Sequence, residues 1–143
     1  MNITVREATP DDRLGVRRVL DAAMLAVRED LPKRIDAGDV LVAERSESKA
    51  EGDQPILGAL VLVLRECGDA GNPDTAHVNA VAVRRARRGR GVGSALVRTA
   101  AERHARLTAE FDPDVRPFYE SLGFDISEHE SGRLWGVRER DER

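Results

Sequence analysis

Arg88-Gly89-Arg90-Gly91-Val92-Gly93 stands between a short apolar run, Val81-Ala82-Val83, and a stretch from Ser94 to Arg106 whose apolar residues recur at helical spacing. The order strand, glycine turn, helix narrows what the chain can fold into. Glycine turns a backbone through positive φ without a Cβ clash and lets it approach a ligand closely. The first amides of a helix have no acceptor inside the helix, and the helix dipole favours negative charge beside them. A turn of this kind cradles phosphate, so a phosphate-bearing ligand is expected. The spacing excludes two common ones. A Walker loop needs Lys directly after its last glycine, and here Ser94 follows Gly93. A dinucleotide fingerprint starting at Gly89 needs a third glycine at position 94, and it opens the first strand of its unit rather than a segment beyond residue 80.

The rest of the chain reads as a mixed α/β domain. Residues 3–8 predict a strand. Thr9-Pro10-Asp11-Asp12 opens a helix, with Thr9 as cap, proline at the first helical position and two acids complementing the dipole. Val16, Val19, Leu20, Ala23, Met24 and Val27 continue it on one apolar face. Residues 28–39 are charged and broken by Pro32 and Gly38, giving a second short helix or an irregular connection. Val40–Ala43 predicts a strand and residues 46–55 a polar turn. Ile56–Arg65 is nearly all apolar, as a central strand buried on both faces requires. Residues 68–75 form a loop, 77–83 a strand, 107–111 another strand, and 115–122 a short helix capped by Gly123. Two strands, 124–127 and 134–137, close the fold around a turn at 128–133, and the charged tail from Arg138 is expected to fray.

At 143 residues the chain is read as one domain, 1–143, large enough for a real core. Net charge is −3, which argues against general nucleic-acid binding, although Arg84, Arg85, Arg87, Arg88 and Arg90 cluster around the glycine turn. The single cysteine, Cys67, permits no intrachain disulfide and has no nucleophile signature around it. Arg6 and Glu7 interrupt any leader-like apolar run, and the longest apolar stretch, Ile56–Leu64, is nine residues, too short to span a bilayer. A soluble, cytoplasmic protein without membrane attachment is expected, as a monomer or homodimer.

Two segments carry a resemblance. Arg88, Gly91 and Gly93 form Arg-x-x-Gly-x-Gly after Val-Ala-Val, and Phe118-Tyr119-Glu120-Ser121-Leu122-Gly123-Phe124 follows downstream. In this order and spacing they resemble the GNAT superfamily of N-acetyltransferases, which use acetyl-coenzyme A. The resemblance spans roughly residues 3–137, with its specific motifs inside 77–124. It implies an α/β (α+β) fold: a mixed, largely antiparallel sheet of six to seven strands flanked by about four helices, in which strands 77–83 and 107–111 run parallel and splay to admit the cofactor. It implies that the backbone at Val81, Ala82 and Val83 takes the pantetheine arm. The pyrophosphate would lie on Arg88, Gly89, Arg90, Gly91, Val92, Gly93 and Ser94. Where the family often has asparagine after strand 107–111, this chain has Asp112, which would substitute as an acceptor. No metal is implied.

The chemistry of amine acetylation tests those residues. An alkylamine with pKa near 10 is only about one-thousandth neutral at pH 7, so a general base helps, directly or through water. The departing thiolate needs a proton, and a tyrosine of pKa ~10 matches a thiol of pKa ~8.5. Tyr119 is the only tyrosine and occupies the family's general-acid position; the competing reading is that it simply packs. His77, six residues before Val83, stands where the family often draws its base, and a strand histidine held by neighbours is the equal alternative. Asn79 should share its face. Glu44, Glu66 and Glu110 read as solvated carboxylates. The resulting expectation is an acetyl-CoA-dependent N-acetyltransferase acting on a small-molecule or peptide amine. The alternatives are a non-catalytic acyl-CoA-sensing module of the same fold and, less favoured, a nucleic-acid-binding protein using the arginine cluster.

Overall fold

The computed structural model describes residues 3–23, 29–45, 56–64, 75–84, 91–128 and 132–139. Strand β1 (Ile3–Glu7) leads through a 3-10 turn (Pro10–Asp12) into helix α1 (Arg13–Ala22) and helix α2 (Leu31–Asp36). Strands β2 (Val40–Arg45), β3 (Gly58–Leu64) and β4 (Thr75–Val83) follow. Helix α3 (Val92–Arg103), strand β5 (Arg106–Phe111), a 3-10 turn (Pro113–Val115), helix α4 (Arg116–Ser121) and strands β6 (Asp125–Glu128) and β7 (Leu134–Glu139) complete the chain. The seven strands form one sheet in the order β1-β2-β3-β4-β5-β7-β6. Every neighbouring pair is antiparallel except β4 and β5, which are parallel.

Alternation in the central strands builds two core layers. Leu41, Leu60 and Leu62 face a layer shared with α3, while Val40, Val42, Ala59 and Val61 face one shared with α1 and α2. The apolar run expected to be central is central: β3 lies between β2 and β4 and is buried on both sides. Strand β4 changes its alternation midway. Ala76 and Val78 face the α3 layer, but Ala80 and Ala82 face the α1–α2 layer. The register shows why. Leu62 pairs with Val78 and Val61 with Ala80, so Asn79 is an extra residue, a β-bulge.

Local chemistry accounts for the remaining boundaries. The Thr9 amide and hydroxyl both donate to the Asp12 carboxylate, at 2.7 and 3.1 Å. The same carboxylate takes the Arg6 guanidinium at 2.7 Å, which holds Asp12 below the usual carboxylate range. Helix α4 ends at Gly123 (φ +85°), where the Gly123 amide donates to Glu120 O at 3.1 Å and the Phe124 amide to Tyr119 O at 3.2 Å. Two sequence expectations are corrected. Helix α3 starts at Val92 rather than Ser94, because Gly91 in the left-handed region already turns the chain. The tail does not fray from Arg138: β7 runs to Glu139, pairs with Leu107 and Arg106 of β5, and Arg138 Nε donates to Leu122 O at 2.8 Å. The predicted polar turn at 46–55, most of the loop at 68–75, and Cys67 lie outside the described residues.

Gly58 is where the sheet and α3 meet most closely. A Cβ there would stand 2.9 Å from both Ala82 O and Val92 Cγ1. The backbone oxygen has no rotamer through which to retreat, so Gly58→Ala should destabilise the fold by about 1–3 kcal/mol, read as a lower urea midpoint with unchanged slope.

Candidate active site

The parallel pairing of β4 and β5 has four rungs and ends at Val78 and Ala109, beside the bulge. Beyond that rung the two strands part, and a cleft of about 420 Å³ opens between them. Val78–Val81 of β4 form one wall and Glu110, Phe111 and Asp112 the other. Phe118 and Tyr119 of α4, Asp114 and Val115 of the preceding turn, and Arg133 complete the lining. The splayed parallel pair expected from the resemblance is therefore present, and the bulge is its cause.

The start of α3 abuts this cleft. Gly91 has φ +85°, and a Cβ on it would meet no atom of the described residues within 4 Å. The first helical hydrogen bond runs from the Ala95 amide to Gly91 O at 3.0 Å, so the amides of Val92, Gly93 and Ser94 precede the helical ladder. Among the described residues nothing fills the space above Gly91, which a helix N-terminus faces, and this fits a phosphate group. Gly93 has another task. A Cβ there would stand 3.3 Å from Phe118 Cε1 and 3.6 Å from Val83 Cγ2, so the missing side chain lets α3 seat against α4 and β4. Val92 and Ala82 are buried, so each can offer a ligand only its backbone. Arg88, Gly89 and Arg90 lie outside the described residues.

Tyr119 is packed as well as positioned. It stacks on Phe111 at a centroid distance of 4.1 Å and meets Phe118 and Phe124 edge-on at 5.0 and 5.1 Å. Its residue is buried, yet it lines the cleft. Removal of its phenol from water disfavours the phenolate and pushes the pKa up to about 12.

His77 lies elsewhere. Its Nδ1 shares a hydrogen bond of 2.8 Å with Thr108 Oγ1, directly opposite it on β5, and its ring stacks on Trp135 at 5.5 Å. It is one rung short of the parted strands and is not among the residues that line the cleft. Asp112 does line it, but its carboxylate is already engaged by Arg133 Nη1 at 2.9 Å. Sequence reasoning missed Arg133 altogether. Its Nη2 also donates to Glu110 O at 3.2 Å, so one guanidinium fastens the β6–β7 turn to the end of β5. Glu110, read as a solvated carboxylate, is a cleft residue. Its alternation with Leu107, Ala109 and Phe111 was the signal that sets it on the opposite face from Tyr119. Among the described residues no group of three or more His, Cys, Asp or Glu side chains is placed to hold a metal ion. No helix among them is long and apolar enough to cross a membrane.

This fold, opened between two parallel strands beside a glycine-capped helix, is that of the GNAT acetyltransferases. Residues 36–126 match the sequence profile of the Acetyltransferase (GNAT) domain, and the chain belongs to that family. A GNAT-family acetyltransferase from Listeria monocytogenes is similar in structure, with 17% identity over 96% of this chain and 95% of its own, and a TM-score of 0.73. Naa50 of Arabidopsis thaliana, solved with the bisubstrate analogue CoA-Ac-MVNAL, shares 15% identity over 96% of this chain and 97% of its own, at 0.72. Ard1 from Thermoplasma volcanium shares 21% over 99% and 100%, at 0.69. A comparison with curated protein sequences gives no match.

Because Tyr119 is the only tyrosine, its titration can be read directly. Tyrosinate absorbance should rise near pH 12 rather than at the ordinary value of 10. The folded pKa is raised, so the stability it confers is complete below the unfolded pKa and is lost as pH climbs from about 10 towards 12. Alkaline unfolding followed by circular dichroism should track that window, and Tyr119→Phe should flatten it.

Proposed function

We propose that the protein transfers an acetyl group from acetyl-CoA to a primary amine by direct attack of the amine on the thioester. The observation that carries this reading is the parting of β4 and β5 at the bulge, with the start of α3 packed against the same cleft wall through Gly93 and Phe118. The amides of Val92, Gly93 and Ser94 and the open space at Gly91 hold the pyrophosphate, with Arg88 and Arg90 as the expected side-chain partners. The edge of β4 around Val81 takes the pantetheine arm between the strands. Acetyl-CoA supplies the activated acyl group, and the chain's own residues orient it and manage the protons.

Tyr119 is the general acid of this reading. Its raised pKa keeps the phenol protonated at neutral pH, which an acid requires, and the emerging thiolate is the base that takes its proton. His77 can reach an acceptor amine only through water, since it lies outside the cleft lining. That position is also the observation favouring the second reading, a module that binds acyl-CoA without turnover. A peptide N-terminus is one acceptor class to test first, because the similar Naa50 was solved with a peptide-bearing CoA analogue; small diamines and amino acids are the others.

The tests follow from these assignments. Acetyl-CoA should raise the thermal midpoint, since a ligand bound only by the folded state stabilises it by mass action, whereas ATP and NAD should shift it little. Gly91→Val should sharply reduce that rise, because its side chain enters the space above the helix start and disfavours φ near +85°. A sensing module would show the rise without thiol release against any amine. Tyr119→Phe preserves the ring stack and removes the proton. Turnover should fall by about 10²–10⁴-fold with cofactor affinity nearly unchanged; full activity in the variant would assign the proton to water or acceptor.

A further inference from the structure

We infer that Glu110 is a catalytic residue: it receives the proton that the acceptor ammonium must lose before it can attack. This rests on the acetyltransferase reading above and names the group that the sequence left open. The cleft has two unlike faces. On one, Phe111 joins the core layer of Tyr119. Glu110, the residue between Ala109 and Phe111, alternates to the other face and lines the cleft. It is the first residue of β5 beyond the last rung with β4, so it borders the gap rather than a paired strand. Its backbone is nevertheless fixed, by pairing with Trp135 of β7 and by the Arg133 Nη2 bond to its carbonyl.

The other charged groups are placed less well for the task. Asp112 is committed to Arg133 at 2.9 Å. Asp114 lines the cleft from the turn beyond the strand. Arg133 Nε stands 3.7 Å from Glu110 Oε1, at ion-pair rather than hydrogen-bond distance. The Glu110 side chain is 37% exposed, enough to meet an incoming amine. His77 lies one rung back and is engaged by Thr108.

The protons balance. The ammonium gives one proton to the Glu110 carboxylate, directly or through one water, and solvent later removes it. The neutral nitrogen forms a bond to the thioester carbonyl carbon, and the carbon–sulfur bond breaks. Tyr119 protonates the sulfur and is restored by the second proton lost from nitrogen. One proton is released for each amide and free thiol formed.

The experiment compares size-matched alkylamines and aromatic amines, using thiol release by the wild type, Glu110→Gln and His77→Gln. Alkylamines are charged at neutral pH and need the base; weakly basic aromatic amines are already neutral. Glu110→Gln should lower kcat/KM for alkylamines by about 10²-fold or more, with the deficit shrinking as pH rises, and should change little for aromatic amines. Its acetyl-CoA thermal shift should match the wild type. Equal loss for both amine classes would overturn the assignment, as would the same selective loss in His77→Gln but not in Glu110→Gln. A wild-type chain that binds acetyl-CoA yet acetylates neither class would overturn the transferase reading, and this assignment with it.

Discussion

One extra residue in β4 governs the architecture. Had the strand kept its alternation, Ala76, Val78, Ala80 and Ala82 would share a face, and β4 could have continued its ladder with β5. Insertion of Asn79 moves Ala80 and Ala82 to the opposite layer and ends the pairing at Val78. The sheet remains continuous on the β3 side, where Gly58 to Val61 still pair with β4. It opens only towards β5. A bulge adds local twist and ends regular pairing where a sheet must present a site, and here the whole cleft follows from it.

The two walls of that cleft differ in dielectric character. On one side the phenol of Tyr119 is enclosed by three phenylalanines and held protonated by its dry surroundings. On the other, Glu110, Asp112 and Arg133 form a partly solvated ion-pair group joined at 2.9 and 3.7 Å. A buried phenol and a pair of carboxylates held by one guanidinium thus face one opening.

Much of this was legible before any coordinates. The glycine loop, the doubly buried β3, the short α4 with its Gly123 cap and the parallel pairing of β4 with β5 all follow from local spacing or from the resemblance, because glycine geometry and apolar periodicity are written in neighbouring residues. The bulge was not legible. Its effect depends on which residue of β3 faces which of β4, and alternation in Thr75–Val83 alone looks regular enough to pass. For the same reason the sequence could not separate Gly91, whose Cβ position meets no atom of the described residues, from Gly93, which faces Phe118. His77 was ranked by its strand position relative to a family pattern and Glu110 was read as a solvated carboxylate, whereas access to the cleft is decided by where the ladder stops. Arg133 had no local signature, since its partners stand more than twenty residues earlier.

The contact between Gly93 and Phe118 ties together two segments that motif inspection treats as separate. With only 3.3 Å between a hypothetical Cβ and the ring, the residue sizes at these two positions form a single steric sum. A chain with alanine at 93 would need a slimmer residue than phenylalanine at 118, or a shifted α4, to keep Tyr119 on its aromatic bed. The two positions should therefore vary as a pair when such chains are redesigned or recombined, and a segment swap that crosses residues 94–117 should carry both or neither.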